Sequence, residues 1–365
     1  MSIILFFLIF GIVVFVHEFG HFIIARQSGI KVNEFCLGMG PALVSFTRGG
    51  TRYAIRLLPL GGACMFEGED GKYTTPDEDG EKAKESDPVA DTKLEKQALA
   101  FPQAPVFARI ATVFAGPFFN FILAFLFSMI IIGSYGADMP VIQKVVDGGG
   151  AQTAGLKEGD RILKLGKQKI RLYREISMYS MLSRGESIEV TYERDGKEST
   201  CVVTPQYSEK DGRFYLGLLG VGEYRRFGLG GTVKYSFFEV RYWINSVIKS
   251  LELIFRGKVS KDDVAGPVGM AKMVGDVYTQ SKPDGLFYVW LNMLNFCVLL
   301  SANLGVMNLL PIPALDGGRL VFLLLEVVRG KPIPPEKEGF VHMVGMVCLM
   351  ALMVFIFYND ITRLF

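Results

Sequence analysis

Histidine is nearly absent, with three residues in 365, and there are only two tryptophans. A dominant charge is missing too, since 39 Lys and Arg stand against 37 Asp and Glu. A balance of +2 gives no electrostatic footprint for a polyanion, which argues against a nucleic-acid partner. The five cysteines (36, 64, 201, 297 and 348) are scattered, with no C-x-x-C. Neither a thiolate metal site nor a disulfide framework is expected, and each reads as a small buried hydrophobe. What the chain has in plenty is apolar surface: 50% hydrophobic residues and a mean hydropathy of +0.31. That is too apolar for an ordinary soluble protein, and the length suits several membrane spans plus one soluble domain.

The first apolar run, residues 3–24 (IILFFLIFGIVVFVHEFGHFII), holds two of the three histidines, His17 and His21, with Glu18 beside them. A carboxylate near mid-membrane costs about 2.5–3.5 kcal/mol, so a sequence keeps one where something stabilises it or it does work. In a helix, positions i and i+4 share a face, about 6 Å apart along the axis. His17 and His21 therefore present two imidazole nitrogens to one ion, and Glu18, off that ridge, reaches toward a water on the ion. This is the H-E-x-x-H pattern of zinc hydrolases: two ligands and a general base. A signal peptide wants a basic leading region and a small-residue cleavage site, and neither is seen here.

After the first span come Arg26, Lys31, Arg48, Arg52 and Arg56 against one acid, Glu34. This bias marks the cytoplasmic side, so the span runs from outside to inside. Residues 30–67 read as short strands broken by glycine, with Tyr53, Ile55 and Leu57 in period-two alternation. Two readings stand: a hairpin dipping into the membrane, its edge free to pair with an extended peptide, or a plain cytoplasmic hairpin. Residues 68–100 are charged and poor in aromatics, a solvated loop. The second span, about 106–133, opens with Arg109 and contains AGPFFN (115–120), where Gly116 permits close packing and Asn120 is polar at membrane depth.

Residues 138–225 read as a soluble module. It has a first strand at VIQKVV, a short helix over 151–156, a strand over 161–165, and a hairpin turning at Asp195-Gly196. Residues 226–285 form a connector. Within it, 232–257 carries Phe237, Val240, Ile244, Val247 and Leu251 on one stripe, as an amphipathic membrane-surface helix does. The third span, about 286–310, includes Asn292, Asn295, Asn303 and Asn308. Pro311 and Pro313 then break the helix and present Asp316 on an irregular turn at the cytoplasmic end. A fourth span covers about 340–358, which leaves both termini and the module outside. Catalytic zinc wants three protein ligands, and the candidates for the third are Asp316 and His342. Span arithmetic places Asp316 at the depth of HEFGH, while His342 reads as an interfacial or packing residue.

The string AGLKEGDRI (154–162) resembles a PDZ domain. Tyr215-Leu216-Gly217-Leu218 resembles the peptide-gripping loop of such domains, making Leu216, Gly217 and Leu218 candidate peptide contacts. Its place at the end of the module fits the circularly permuted form found in bacterial membrane proteases. HEFGH, GPFFN, this insert and NLLPIPALDGG (308–318), in that order, resemble the site-2 protease family of intramembrane metalloproteases, in its bacterial RseP-type branch. The resemblance implies that His17, His21 and Asp316 bind Zn2+ and that Glu18 is general base and then acid. It implies that Asn308, with Asn303, contacts the substrate backbone or the developing oxyanion. TRYAIRLLPLGGACMFEGED resembles the family's membrane re-entrant β-loop, so Arg56, Leu58, Gly61 and Gly62, with Asn120, are candidate substrate contacts. AGPVGM (265–270) resembles a stretch that recurs after the PDZ region.

The expected fold is an α-helical polytopic membrane protein with four transmembrane helices, a membrane-associated β-hairpin region and an inserted α+β PDZ-like domain. Its parts are a membrane protease portion over 1–137, the extracytoplasmic module, the connector, and a second membrane protease portion over 286–365. The implied substrates are single-span membrane proteins already trimmed outside, such as anti-sigma factors or remnant signal peptides, and the implied location is the bacterial inner membrane. One departure is the single PDZ-like module, where some members have two. The rival class is a membrane-bound PDZ adaptor or sensor with a structural or inactive metal site. A metal transporter is disfavoured, because no further chain of ionisable residues crosses the spans.

Overall fold

Long apolar segments can hide their backbone polar groups from lipid only by bonding them within a helix. A computed structural model describes residues 2–68, 98–182, 185–209, 213–257 and 266–362. Its α-helices are α1 (Ser2–Gln27), α2 (Val106–Tyr135), α3 (Gly150–Thr153), α4 (Tyr173–Leu182), α5 (Leu229–Phe255), α6 (Pro267–Ser281), α7 (Leu286–Asn308), α8 (Asp316–Arg329) and α9 (Pro335–Thr362). Among the described residues four are long and apolar enough to cross a membrane: α1, α2, α7 and α9. These are the four expected spans. The third ends at Asn308 rather than 310, because Pro311 and Pro313 cannot continue a helical ladder.

The chain divides into two compact units, residues 1–124 with 247–365, and residues 125–246. In the first, β1 (Val32–Arg48) and β2 (Thr51–Phe66) pair antiparallel. The register is not that of a simple ribbon. Residues 44–48 lie against 51–55, residues 52–55 also lie against 34–37, and 34–37 in turn pair with 62–65. The two long strands thus fold over into shorter pieces, with the bends at Gly38, Gly40 and Gly61, all in the left-handed region. The base of this hairpin is anchored by a core of Ala25, Val32, Phe66, Phe101, Val113 and Leu323. Of the charged loop expected at 68–100, residues 69–97 lie outside the described residues. Its end is tied to the body by its backbone: Leu99 bridges Ile30, with Leu99 N–H donating to Gly29 at 2.8 Å, while the Leu99 side chain is exposed. Ala265 of AGPVGM also lies outside the described residues. Gly266 and Gly269 give their N–H groups to the Asp360 carboxylate (3.1 and 2.9 Å), which fixes the start of α6 to the end of α9.

In the second unit, an antiparallel sheet of Gln168–Lys169, Arg161–Leu165, Ile188–Arg194 and Lys197–Val203 packs its apolar face on α3 and α4. Its core includes Ile142, Leu156, Ile162, Ile176, Val190 and Leu216. The first part of α5 belongs to this unit and is tied to α4 by charge. Arg174 reaches Asp138 and Glu239 (3.1 and 2.6 Å), and Arg241 reaches Glu175 at 3.0 Å. Burial works against the charge on Arg174, but Glu239 and Asp138 outweigh it and push its pKa up. The stripe expected on α5 is therefore partly spent on protein packing. Val240 is buried, whereas Phe237 is open.

Candidate metal centre

The i, i+4 spacing on α1 does what helix geometry demands. His17 and His21 lie edge to face, both buried, with their Nε2 atoms 3.3 Å apart. The third donor arrives from the far end of the sequence. Asp316 opens α8, and its Oδ2 lies 3.2 Å from His17 Nε2 and 3.4 Å from His21 Nε2. Among the described residues this is the one group of three or more such donors close enough to hold a metal ion. The sequence placed Asp316 on an irregular turn. The turn is there, over 309–315, but the chain re-enters a helix at Asp316 itself.

The donor set can be tested for fit. Four ligands about 2.05 Å from zinc stand about 3.3 Å apart at the corners of a tetrahedron. The three separations here, 3.2, 3.3 and 3.4 Å, match that edge. Asp316 Oδ2 is buried without a hydrogen-bond partner, aimed at the same point as the imidazoles. The remaining ring nitrogens are tied down from behind. His21 Nδ1 donates to the Thr112 carbonyl at 2.9 Å, which leaves its Nε2 with a free lone pair. Behind His17 stands the amide of Asn120, with its nitrogen 3.2 Å from Nδ1. Its Oδ1 is buried without a partner. Turning the amide over brings that oxygen to Nδ1, where it accepts the ring proton and frees Nε2 in the same way. The residues fit a zinc ion.

The other sequence-predicted residues scatter. Asn308, the last residue of α7, brings its Nδ2 to 3.2 Å from His17 Nε2, at the edge of the centre. Asn303 sits five residues earlier on the same helix, about 7.5 Å back along the axis. Asn120, a candidate substrate contact, is wholly buried with its amide against His17 Nδ1. Arg56 is occupied by Glu34 at 2.6 Å and by the Gly40 carbonyl at 3.0 Å, a strut within the hairpin. Leu58 is exposed. Gly61 forms a bend, and Gly62 lies on Glu18, where an added Cβ would stand 2.8 Å from the Glu18 Cγ. Leu216 is buried in the module core. The Leu216 and Gly217 carbonyls accept from Ala151 and Val146, and Leu218 pairs with Val145. His342 does not join the centre; its Nδ1 accepts the Ala314 N–H at 2.9 Å.

For three residues the sequence did not show which neighbour each meets. Thr112 acts through its backbone. Gly116 leaves room for His21, since an added Cβ would stand 2.5 Å from Cε1 and closer still to Nε2. Arg109, expected only as the opening of the second span, is bidentate to Glu326 (3.0 and 2.5 Å) and so braces α8.

Two buried imidazoles on an apolar helix, a carboxylate brought to the same point by the start of α8 and a neighbouring glutamate are the donor set of the membrane metallohydrolase class. A family model described as Peptidase family M50 matches residues 5–352. The Zinc metalloprotease RasP of Geobacillus kaustophilus is 34% identical over 424 residues, spanning 100% of this chain and 98% of its own length. The Regulator of sigma-W protease RasP of Bacillus subtilis is 32% identical, over 100% of this chain and 99% of that one. The Probable protease eep of Enterococcus faecalis is 33% identical, with the same coverage of 100% and 99%. A solved PDZ domain, from the SdrC-like protein of Listeria monocytogenes, covers 22% of this chain and 85% of its own at 20% identity. Its TM-score of 0.21 is too low to bear on the module's fold. The chain belongs to peptidase family M50, the site-2 protease family of membrane metallopeptidases.

Proposed function

We propose that this chain is an intramembrane zinc endopeptidase that cuts within or near the transmembrane segment of single-span membrane proteins. His17, His21 and Asp316 hold the ion. The observation that carries this reading is the set of three donor atoms at tetrahedral separations, one of them an otherwise unpartnered carboxylate oxygen. When bound, zinc polarises the scissile carbonyl and lowers the pKa of an attacking water to about 7.

The chain's own residues do the rest. Glu18 takes the proton of the attacking water and then delivers it to the amide nitrogen that leaves, so one carboxylate serves as base and acid in turn. The Asn308 amide, held beside His17, donates to the substrate oxygen as charge develops there. Thr112 and Asn120 keep both imidazoles in the tautomer that offers Nε2. A substrate helix has its carbonyls tied up in i to i−4 bonds and must unwind before attack. The hairpin at 51–66 receives the unwound stretch as an added strand, around Leu58, Gly61 and Gly62. The PDZ-like module, placed outside with both termini by the charge bias, admits substrates already trimmed there. Anti-sigma factors fit this substrate class, and the Bacillus subtilis relative is named a regulator of sigma-W.

The test is Glu18→Gln in the full chain with a single-span reporter. Cleavage is expected to fall by about 10²–10⁴-fold while zinc stays bound. Turnover at the parent rate would remove Glu18 as the base.

A further inference from the structure

Helix α9 is the least buried of the four apolar helices, with only 6% of its most apolar stretch buried. Two of its residues, one turn apart, meet the turn before Asp316. Gly345 lies against Pro313, where an added Cβ would stand 2.8 Å from the Pro313 carbonyl oxygen. His342, three residues earlier and so on the same face, accepts the Ala314 N–H at Nδ1, 2.9 Å away.

That turn holds a non-glycine residue in a left-handed conformation and sends its N–H to an outside acceptor. Pro311 and Pro313 have no N–H to give, and Ala314 has φ +72, a left-handed conformation that its Cβ disfavours. The turn's own bonds run from Ile312 to Leu310 (2.7 Å) and from Leu315 to Ile312 (3.2 Å); the second closes over Ala314 but leaves the Ala314 N–H to the His342 ring. Two residues on, Asp316 begins α8 with its carboxylate at the imidazoles. The His342 ring is itself held. Phe322 of α8 packs on it with centroids 5.6 Å apart, and Glu338 lies 3.9 Å from Nε2. A proton at Nε2 faces that carboxylate and leaves Nδ1 as the acceptor that Ala314 requires.

We propose that His342 is a positioning residue. Its neutral imidazole, carried by the fourth span, holds the Ala314 backbone in its left-handed turn and thereby sets where the Asp316 carboxylate arrives. This rests on the reading of Asp316 as a metal ligand. It gives the third histidine a role in the centre without making it a ligand.

Two substitutions separate the bond from the ring. In His342→Asn the amide oxygen takes the place of Nδ1 and the ring is lost. In His342→Phe the ring stays and the acceptor is lost. The readouts are zinc affinity of the full chain in detergent, by competition with a chelator, and kcat and KM on a single-span reporter. His342→Phe is expected to bind zinc about 10–100-fold more weakly, the range for lost outer-shell partners, with kcat reduced and KM held. His342→Asn is expected to recover most of both. If His342→Phe does not accumulate, His342→Gln replaces it, since its oxygen lies one methylene too far and should fail in the same way. Equal zinc affinity in His342→Phe and the parent, or His342→Asn as weak as His342→Phe, overturns the proposal and leaves the metal reading intact. A parent chain that binds no zinc overturns both.

Discussion

Gly116→Ala puts the metal reading under the smallest stress that can break it. One methyl group is added to α2 where it passes α1, and its carbon would stand 2.5 Å from His21 Cε1. Comfortable carbon contacts begin near 3.5 Å, so about 1 Å is missing. The α2 backbone cannot easily retreat, because one residue earlier the Ala115 carbonyl already lies where a Cβ on Gly20 would stand 2.6 Å from it. The ring can escape only by turning, which breaks its 2.9 Å bond to Thr112 and carries Nε2 away from Asp316. Overpacking by one methylene costs about 1–3 kcal/mol. Here that falls on the one ring position that can hold an ion. At about 1.4 kcal/mol per tenfold, zinc should bind about 5–150-fold more weakly. The assay is chelator competition on the full chain, with thermal melting in the absence of zinc as the control for folding. Melting should change little, while the stabilisation that added zinc gives the parent should shrink. A Gly116→Ala chain that binds zinc within twofold of the parent would refute this reasoning.

Other substitutions address single links of the argument. Asn120→Leu removes the acceptor behind His17 and should weaken zinc about 10–100-fold, while Asn120→Asp should retain it; equal affinities in the two would deny Asn120 its orienting role. Gly62→Ala pushes on the Glu18 side chain without touching a ligand, so kcat should fall, by up to about 10²-fold, at unchanged zinc affinity. Unchanged kcat there would show that Glu18 has room to spare. Glu326→Ala strands the buried Arg109 charge and should destabilise the chain by about 3–5 kcal/mol, read as a clear drop in melting temperature; no drop would mean the pair is not a brace for α8.

What the sequence makes legible follows what physics constrains locally. The spans announce themselves because lipid tolerates little besides long apolar helices, and H-E-x-x-H is read within a single helix turn. Asp316 was reachable by span arithmetic, since only depth had to be matched. The second set of contacts was not legible. Gly116 and Asn120 could be recognised as small and polar at membrane depth, yet which neighbour each meets depends on how α2 is rotated against α1. Asn120 was therefore counted among the candidate substrate contacts, and its amide stands against His17 Nδ1. The helix α8 was hidden by its own opening. Asp316-Gly317-Gly318 after two prolines reads as a turn, whereas Gly317 is there because the preceding turn passes too close for a side chain, its Cβ position being 2.5 Å from the Leu309 carbonyl carbon. The hairpin's period-two pattern predicted strands but not the bends, which let one stretch of β1 pair with two stretches of β2.

The most direct test is the zinc content of the purified full chain beside two variants. One ion per chain is predicted for the parent and for Glu18→Gln, and none for the double variant His17→Ala/Asp316→Ala. Zinc retained at full stoichiometry in the double variant, or absent from the parent under zinc-replete conditions, would contradict the account.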